Sequence, residues 1–240
     1  MEEQKCAYKR VLLKLSGEAL AGEGGAGLDF RIMSEVCGAV ADCVRRGVEV
    51  GIVVGGGNFW RGVKNGEGRM DRAHADQMGM LATVMNCLAL QDVFRQQGIE
   101  AKVLTAMRIE QIAEPFSLDK ADEYLCGGSV VIFGGGVGSP FFTTDTGAVL
   151  RAVLIGADAI LLAKNVDGVY SADPKRDPTA VRYDKLSYDQ VLEQHLAVMD
   201  STATCLAMDN HIPVLVFALK DPENILRAVA GENVGTLVES

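Results

Sequence analysis

Two rhythms of apolar residues alternate along this chain. Short, nearly continuous apolar runs occur at residues 10–15 (RVLLKL), 48–54 (VEVGIVV), 101–104, 130–133, 159–163, 214–217 and 235–238. Runs of that length, apolar on both sides, suit strands covered on both faces of a sheet. Between them lie longer stretches with helical spacing. Residues 30–46 place Ile32, Val36, Val40 and Val44 four apart, and Gly47 follows as a stop. Residues 71–97 hold no Pro and a single Gly, Gly79, and predict one long helix. Met78, Leu81, Met85 and Leu88 form one stripe of that helix, and Met80, Val84, Cys87 and Leu90 part of another. A helix apolar on two sides is buried on two sides, against the core and against either more core or a second subunit. Further helices are expected over 118–125, 145–156, 187–195, 201–210 and 222–230, the last with Pro222 at its start. Residues 165–181, rich in Asp, Gly and Pro, read as a loop or hairpin.

Strand–helix alternation of this kind predicts an α/β fold, a mainly parallel sheet with helices on both faces. No linker, low-complexity segment or internal repeat divides the 240 residues, so one domain over 1–240 is expected. Composition narrows the class. The chain is 48% hydrophobic and 23% charged, which excludes a disordered polymer. Its 23 basic and 32 acidic residues leave a net charge of −9. That balance argues against sequence-independent binding of nucleic acid, yet leaves room for a cationic cleft. No apolar run approaches a membrane span, and the charged N-terminus MEEQKCAYKR lacks the apolar core of a secretion signal. The six cysteines follow no CxxC spacing and read as small buried hydrophobes of a reducing compartment. A soluble, cytoplasmic protein without a membrane partner is expected.

Ligands of open α/β sheets bind beyond the carboxyl ends of the strands. Three strands here run into loops suited to phosphate. They are Lys14-Leu15-Ser16-Gly17, then Gly55-Gly56-Gly57-Asn58 followed by Arg61-Gly62, then Gly134 to Ser139 leading to Thr143-Thr144-Asp145 at a helix start. Consecutive glycines let backbone N–H groups approach an anion, and a helix start adds partial positive charge. Other phosphate and hydrolase signatures fail. There is no GxxxxGK[ST] and no GxSxG, and the GxGxxG at Gly22, Gly24 and Gly27 follows GEALA instead of a strand. An NAD-binding oxidoreductase rests on that misplaced pattern alone. His74, His195 and His211 are far apart in sequence and suggest surface or cap roles.

The carboxylates divide between caps and chemistry. Asp145 and Asp200 each sit at a helix start, where a cap is the ordinary role, but Thr143 or Thr144 serves the first helix equally well. A carboxylate beside a polyphosphate commonly helps to hold Mg²⁺. Asp167 and Asp173 suit turns, while Asp76, inside the long helix beside apolar neighbours, suits either a solvated face or a ligand hydroxyl. Lysine, arginine, amides and carboxylates without a nucleophile–base pair match phosphoryl transfer, which depends on positioning and charge stabilisation. An anionic acceptor is already ionised at pH 7 and requires no base.

The segments YKRVLLKLSGEAL, VVGGGNFWRG, DQMGMLATVMNCLAL, SPFFTTD, NVDGVYSADP, VMDSTA and GTLV are spread along essentially the whole chain, and together they resemble the bacterial uridylate (UMP) kinases of the amino-acid kinase superfamily. The resemblance implies a three-layer α/β/α sandwich and the reaction ATP + UMP → ADP + UDP in pyrimidine nucleotide biosynthesis. It also implies Mg²⁺ carried by ATP near Asp145, with no residue assigned as its direct ligand, and a homohexamer. By the same resemblance Lys14, Leu15, Ser16 and Gly17 meet ATP phosphates, with Lys14 stabilising the transferred group and Asp200 orienting Lys14. Gly57 and Arg61 fall on the ATP side, Arg61 among the catalytic residues, and Tyr170 and Asp173 at the nucleoside end of ATP. Lys164 and Asn165 compete for one further ATP contact. Gly56, Asp76 and the loop Val137, Gly138, Ser139, Pro140, Phe141, Phe142, Thr143 and Thr144 correspond to UMP contacts, Asp76 to the ribose.

Two departures stand out. The family loop close to GTGNPFF reads GVGSPFF here, which removes a hydroxyl at Val137 and shortens an amide to Ser139. LDKADEYLCGGS replaces a segment that is basic in many relatives, which argues against GTP activation, although residues 22–27 match the family's GTP-linked region. Inhibition by UTP remains implied. The alternatives are another amino-acid kinase acting on a carboxylate or carbamate, and a nucleotide-binding regulator without turnover.

Overall fold

The computed structural model describes residues 6–61, 70–174 and 176–240. Gly62, Lys175 and the first five residues of the N-terminal segment, all part of the sequence reading, lie outside them. Strands are β1 (Arg10–Leu15), β2 (Glu49–Val54), β3 (Ala101–Thr105), β4 (Glu114–Pro115), β5 (Val130–Gly134), β6 (Ala159–Lys164), β7 (Val169–Tyr170), β8 (Arg182–Tyr183), β9 (Lys185–Ser187), β10 (Val214–Ala218) and β11 (Gly235–Glu239). Helices are α1 (Gly17–Leu20), α2 (Phe30–Arg45), α3 (Arg72–Gln96), α4 (Leu118–Cys126), α5 (Thr144–Leu154), α6 (Tyr188–Glu193), α7 (Ser201–Asp209) and α8 (Glu223–Val229).

Nine strands form one sheet in the order β4-β3-β5-β2-β1-β6-β10-β11-β9. All neighbours are parallel except β10 and β11. The expected parallel α/β fold is therefore observed. β7 and β8 make a separate antiparallel pair, so the 165–181 segment is a hairpin whose second strand begins just beyond it. The sequence pattern did not anticipate α1, the two-residue β4, or β9 ahead of α6. These elements are too short to carry a period.

Alternation along each strand sends side chains to two cores. Val11, Leu13 and Leu15 join residues of α2, α3 and α8 on one face, whereas Leu12 joins α4, α5, α6 and α7 on the other. Lys14 is two residues beyond Leu12 and so emerges on the α5 and α7 face at the strand's carboxyl end. On β6, Ile160 and Leu162 share the same face, and Lys164 follows them there. The parallel register aligns Lys14 with Leu162, and Leu15 with Ala163 on one side and Val54 on the other. The strand-end loops of β1, β2, β5 and β6 therefore open at one edge of the sheet. β1 is where the strand order reverses, with β2 on one flank and β6 on the other.

Helix starts follow the sequence signals. Asp29 caps α2 and Asp71 caps α3, each accepting two backbone N–H bonds. α3 buries Val84, Cys87, Leu90, Val93 and Phe94, while Met78, Leu81 and Met85 stay 38, 49 and 51% exposed. Of the expected two apolar sides, one packs on the core and the other faces outward. Cys37, Cys43 and Cys87 are buried as expected, but Cys126 and Cys205 are exposed and Cys6 is partly so, which corrects the reading of all six as core residues. No helix among the described residues is long and apolar enough to cross a membrane.

A buried amide pair fastens the β2 loop to α3. Asn58 Nδ2 donates to Asn86 Oδ1 at 2.9 Å, and Asn86 Nδ2 returns a bond to Asn58 Oδ1 at 2.8 Å. Asn86 Nδ2 also reaches the Gly55 carbonyl at 2.6 Å, and Asn58 Nδ2 the Gly27 carbonyl at 2.8 Å. Truncating one partner strands the polar groups of the other in a dry site. Asn86→Ala is expected to lower unfolding stability by about 1–3 kcal/mol. In urea denaturation, the Asn58→Ala and Asn86→Ala double variant should cost clearly less than the sum of the singles.

Candidate active site

A cavity of about 500 Å³ lies at the carboxyl edge of the sheet. It is lined from three directions. Gly56, Gly57, Trp60 and Arg61 come from the segment after β2. Arg72, Asp76, Gly79, Met80 and Thr83 come from the first half of α3. Gly136, Val137, Ser139, Phe142, Thr143 and Thr144 come from the segment between β5 and α5. Glu18 of α1 completes the wall. Gly56 has to be glycine: a Cβ there would sit 2.7 Å from the Gly79 carbonyl oxygen and 2.8 Å from Ala82 Cβ, so a side chain would push α3 off the loop.

The β5 loop turns back on itself through Gly135, Gly136 and Gly138, all with positive φ. Thr83 Oγ1 accepts from the Gly135 N–H at 2.8 Å and pins the loop to α3. Farther along, the Phe141 N–H donates to Asp76 Oδ2 at 2.9 Å. Phe141 is 65% exposed and held at φ 72°, a backbone state that costs a non-glycine residue free energy and needs an anchor. Arg72 supplies the rest of that anchor. Its Nε lies 2.9 and 2.8 Å from the two Asp76 oxygens, and its guanidinium carbon lies 5.4 Å from the centre of the Phe141 ring.

Asp76 is pulled in two directions. Partial burial raises its pKa and is the largest single influence, but the Arg72 and Phe141 hydrogen bonds and the Arg72 charge together outweigh it, so the carboxyl sits below the ordinary 3.8. The carboxylate is therefore ionised at neutral pH.

Beyond the cavity, at the end of β1, Lys14 Nζ lies 2.8 Å from Asp145 Oδ1. Their side chains are only 12 and 19% exposed. The approach lacks the angles of a hydrogen bond, and among the described residues the buried Asp145 Oδ1 has no hydrogen-bond donor. Asp145 is free for this pairing because Thr143 caps α5, its Oγ1 accepting from the Asp145 N–H at 3.1 Å and the Thr146 N–H at 3.4 Å. Lys164 shares the locality. Burial lowers its pKa most, Lys14 lowers it further and Asp145 opposes both, and its ammonium donates to the Val198 carbonyl.

Asp200 requires a correction. It was expected to orient Lys14, but no Lys14–Asp200 ion pair within 4 Å occurs among the described residues. Its oxygens are occupied elsewhere: Asp200 caps α7 through the Ala203 N–H at 2.8 Å and accepts the hydroxyls of Thr143 and Thr146. It thus reaches the site through the residue that caps α5.

A second cavity of about 360 Å³ is lined by Val166, Tyr170, Asp173 and Pro174 together with Gln194 to Ala197. Tyr170 and Asp173 are thus brought together, and His195, read from sequence as a surface or cap residue, lies beside them. Ala197 lines this cavity and precedes the Val198 carbonyl that holds Lys164, which joins it to the Lys14–Asp145 pair. Of the two residues competing for one contact, Lys164 is turned inward and Asn165 is exposed.

Gly57 and Arg61, expected beside one nucleotide, line the larger cavity that also holds Gly56 and Asp76. Arg61 pairs with Glu18 across it. Gly138, Pro140 and Phe141 do not line it, and Phe141 contributes its backbone N–H to Asp76 instead. Leu15 is fully buried, so it supports the loop from below. Sequence reasoning missed Glu18, Trp60, Arg72, Met80 and Thr83. Arg72 was within reach, since it lies four residues before Asp76 on a predicted helix. The Glu18–Arg61 pair spans 43 residues and carried no local signal.

Among the described residues no cluster of three or more His, Cys, Asp or Glu side chains could by itself hold a metal ion. A Mg²⁺ ion that arrives with a nucleotide keeps phosphate and water ligands and needs only one or two carboxylates. Asp145 supplies one carboxylate at the start of α5 beside the end of β1, so the residues fit a nucleotide-borne ion.

The model of the amino acid kinase family matches residues 9–218. Among solved structures, the chain is similar to the UMP kinase of Bacillus anthracis, with 42% identity and a TM-score of 0.93 over 97% of this chain and 96% of that one. It is similar to the UMP kinase of Ureaplasma parvum, with 36% identity and a TM-score of 0.92 over 97% and 99%. The uridylate kinase of Archaeoglobus fulgidus aligns at 32% identity with a TM-score of 0.74 over 95% and 99%.

The Asp76 environment has a measurable consequence. Its folded-state pKa is lowered, so its pairing stabilises the fold fully above the ordinary value, and that stabilisation is lost as pH falls through the lowered one. Carboxyl-detected NMR titration should place the Asp76 midpoint below 3.8. In Arg72→Ala, with burial then less opposed, the midpoint should rise.

Proposed function

The chain belongs to the amino acid kinase family, and within it we propose that it is a UMP kinase, transferring the γ-phosphoryl group of ATP to UMP to give ADP and UDP. The observation that carries this reading is the Lys14–Asp145 pair at 2.8 Å between two cavities, one holding Asp76 and the glycine loops and the other holding Tyr170 and Asp173. Two nucleotides placed with their phosphates toward Lys14 and their nucleosides in opposite cavities fill this arrangement. The place of such an enzyme is pyrimidine nucleotide biosynthesis, and 1–240 forms one catalytic domain.

UMP occupies the larger cavity. Gly56 lets its phosphate approach the β2 loop, Val137, Ser139, Phe142, Thr143 and Thr144 surround it, and Asp76 accepts a ribose hydroxyl. ATP enters by the smaller cavity, with Tyr170 and Asp173 at its nucleoside end and Lys164, Gly57 and the Ser16-Gly17 turn along its phosphates. A UMP phosphate oxygen attacks the γ-phosphorus, and the bond to the β–γ bridging oxygen breaks toward ADP. The attacking oxygen is already ionised, so no side chain has to remove a proton. Lys14 and Arg61 meet the charge that spreads over the transferred group. Asp145 keeps the Lys14 ammonium at the strand end. Asp200 fixes Thr143 and through it the start of α5. Mg²⁺ carried by ATP would supply charge neutralisation at the phosphates, and Asp145 would be the carboxylate near it.

The outward stripe of Met78, Leu81 and Met85 supports assembly through α3, consistent with a cytoplasmic homohexamer. UTP, which shares the uridine of UMP, is a proposed inhibitor, whereas the acidic Asp119, Asp122 and Glu123 of α4 argue against GTP activation. Replacement of the family's loop threonine and asparagine by Val137 and Ser139 leaves UMP recognition resting on backbone groups and Asp76.

ADP release from ATP and Mg²⁺ should require UMP and be far slower with CMP, carbamate or acetylglutamate. Lys14→Ala should lose roughly 100- to 1,000-fold in kcat in protein still folded at the assay temperature, and should unfold at a lower temperature than wild type because it leaves the Asp145 carboxylate without its partner. Turnover with carbamate or acetylglutamate in place of UMP would redirect the assignment within the family. Binding of UMP without any turnover would mark the chain as a regulator.

A further inference from the structure

Asp76 is not an open carboxylate waiting for a ligand. Arg72 Nε engages both of its oxygens, at 2.9 and 2.8 Å, and the Phe141 N–H takes a second position on Oδ2 at 2.9 Å. A carboxylate offers about four acceptor positions in its plane, two on each oxygen. Among the described residues, Oδ2 is thus filled and Oδ1 keeps one position. Because both Asp76 and Arg72 line the 500 Å³ cavity, that position belongs to the acceptor site.

Arg72 fixes which position is left. Its Nε shared between the two oxygens sets the plane of the carboxylate. The same guanidinium lies against the Phe141 ring, and Phe141 is the residue whose backbone is strained at φ 72°. Arg72 therefore ties together helix, carboxylate and loop. It is itself 48% exposed, so it is not needed to fill the core.

We propose that Arg72 is a positioning and specificity residue of the acceptor site, acting through Asp76 so that its single free acceptor position reads one ribose hydroxyl of the nucleoside monophosphate. This rests on the kinase reading above and adds a source for its sugar selectivity. Without Arg72, the carboxylate turns freely about its side-chain torsions, Phe141 loses its cation, and the site keeps a negative charge that no longer points at one hydroxyl. Discrimination between ribose and deoxyribose then falls, even though the carboxylate is still present.

The test is steady-state kinetics of the full chain with UMP, dUMP and 3′-deoxyuridine monophosphate for wild type, Arg72→Ala and Arg72→Lys, with thermal unfolding of each as a control. Wild type should favour UMP over one of the two deoxy analogues by tenfold or more in kcat/KM. Arg72→Ala should raise the UMP KM about tenfold, change the ATP KM less than twofold, and bring that ratio close to one. Arg72→Lys, which restores charge without the shared Nε contact, should recover part of the ratio. A ratio unchanged in folded Arg72→Ala, or a wild type indifferent to both hydroxyls, would overturn the Arg72 assignment while the kinase reading stood. ADP release from wild type that does not depend on UMP would overturn the kinase reading itself and this inference with it.

Discussion

A lysine at the end of a central strand has to be paired. Lys14 comes out on the same side of β1 as the buried Leu12, and its side chain is only 12% exposed. An ammonium in that position is costly without an opposite charge. Asp145 provides it, and the neighbouring contacts follow from that demand. Thr143 must cap α5 so that the Asp145 carboxylate is free for Lys14. Asp200 then holds Thr143 and Thr146 and caps α7, which joins the starts of two helices on that face. One ion pair thus sets the arrangement of three elements around the place where phosphoryl transfer is proposed.

Parallel pairing does the rest at a distance. Because β1, β2, β5 and β6 run the same way in close register, their following loops converge on one edge without any contact arranged solely for that purpose. Convergence brings backbone close to backbone, and the small residues answer it. Gly17 approaches Gly55, and Gly56 approaches the Gly79 carbonyl. The Asn58–Asn86 amide pair then locks the β2 loop to α3 in the interior, where every missing hydrogen bond is expensive.

The acceptor side is built differently. Lys14 and Asp145 stand on the sheet and on a helix start, both rigid. Asp76, Arg72 and Phe141 instead form a clamp between the first turns of a long helix and a strained loop. A site that must admit a nucleotide benefits from placing its selective contacts on the more open wall and its charge-stabilising contacts on the fixed one.

Much of this was legible in the chain. Runs such as VLLKL and VEVGIVV are long enough and apolar enough to declare buried parallel strands, the period of α2 is clear over four turns, and α3 is declared by a stretch with no Pro and one Gly. The glycine loops pointed from sequence to an anion site, and the structure gathers those after β2 and β5 around one cavity. What the residues alone left open was how the carboxylates are divided. Asp145 and Asp200 each precede or begin a helix, and sequence offers both a cap. Only the fold decides that a threonine caps α5, that Asp145 faces Lys14 from 131 residues away, and that Asp200 spends its oxygens on hydroxyls. The short elements α1, β4 and β9 likewise arise from pairing with distant neighbours. Local pattern determines which segments become strands and helices. Charge pairing across the sheet, which depends on register and not on spacing along the chain, determines which of their side chains meet.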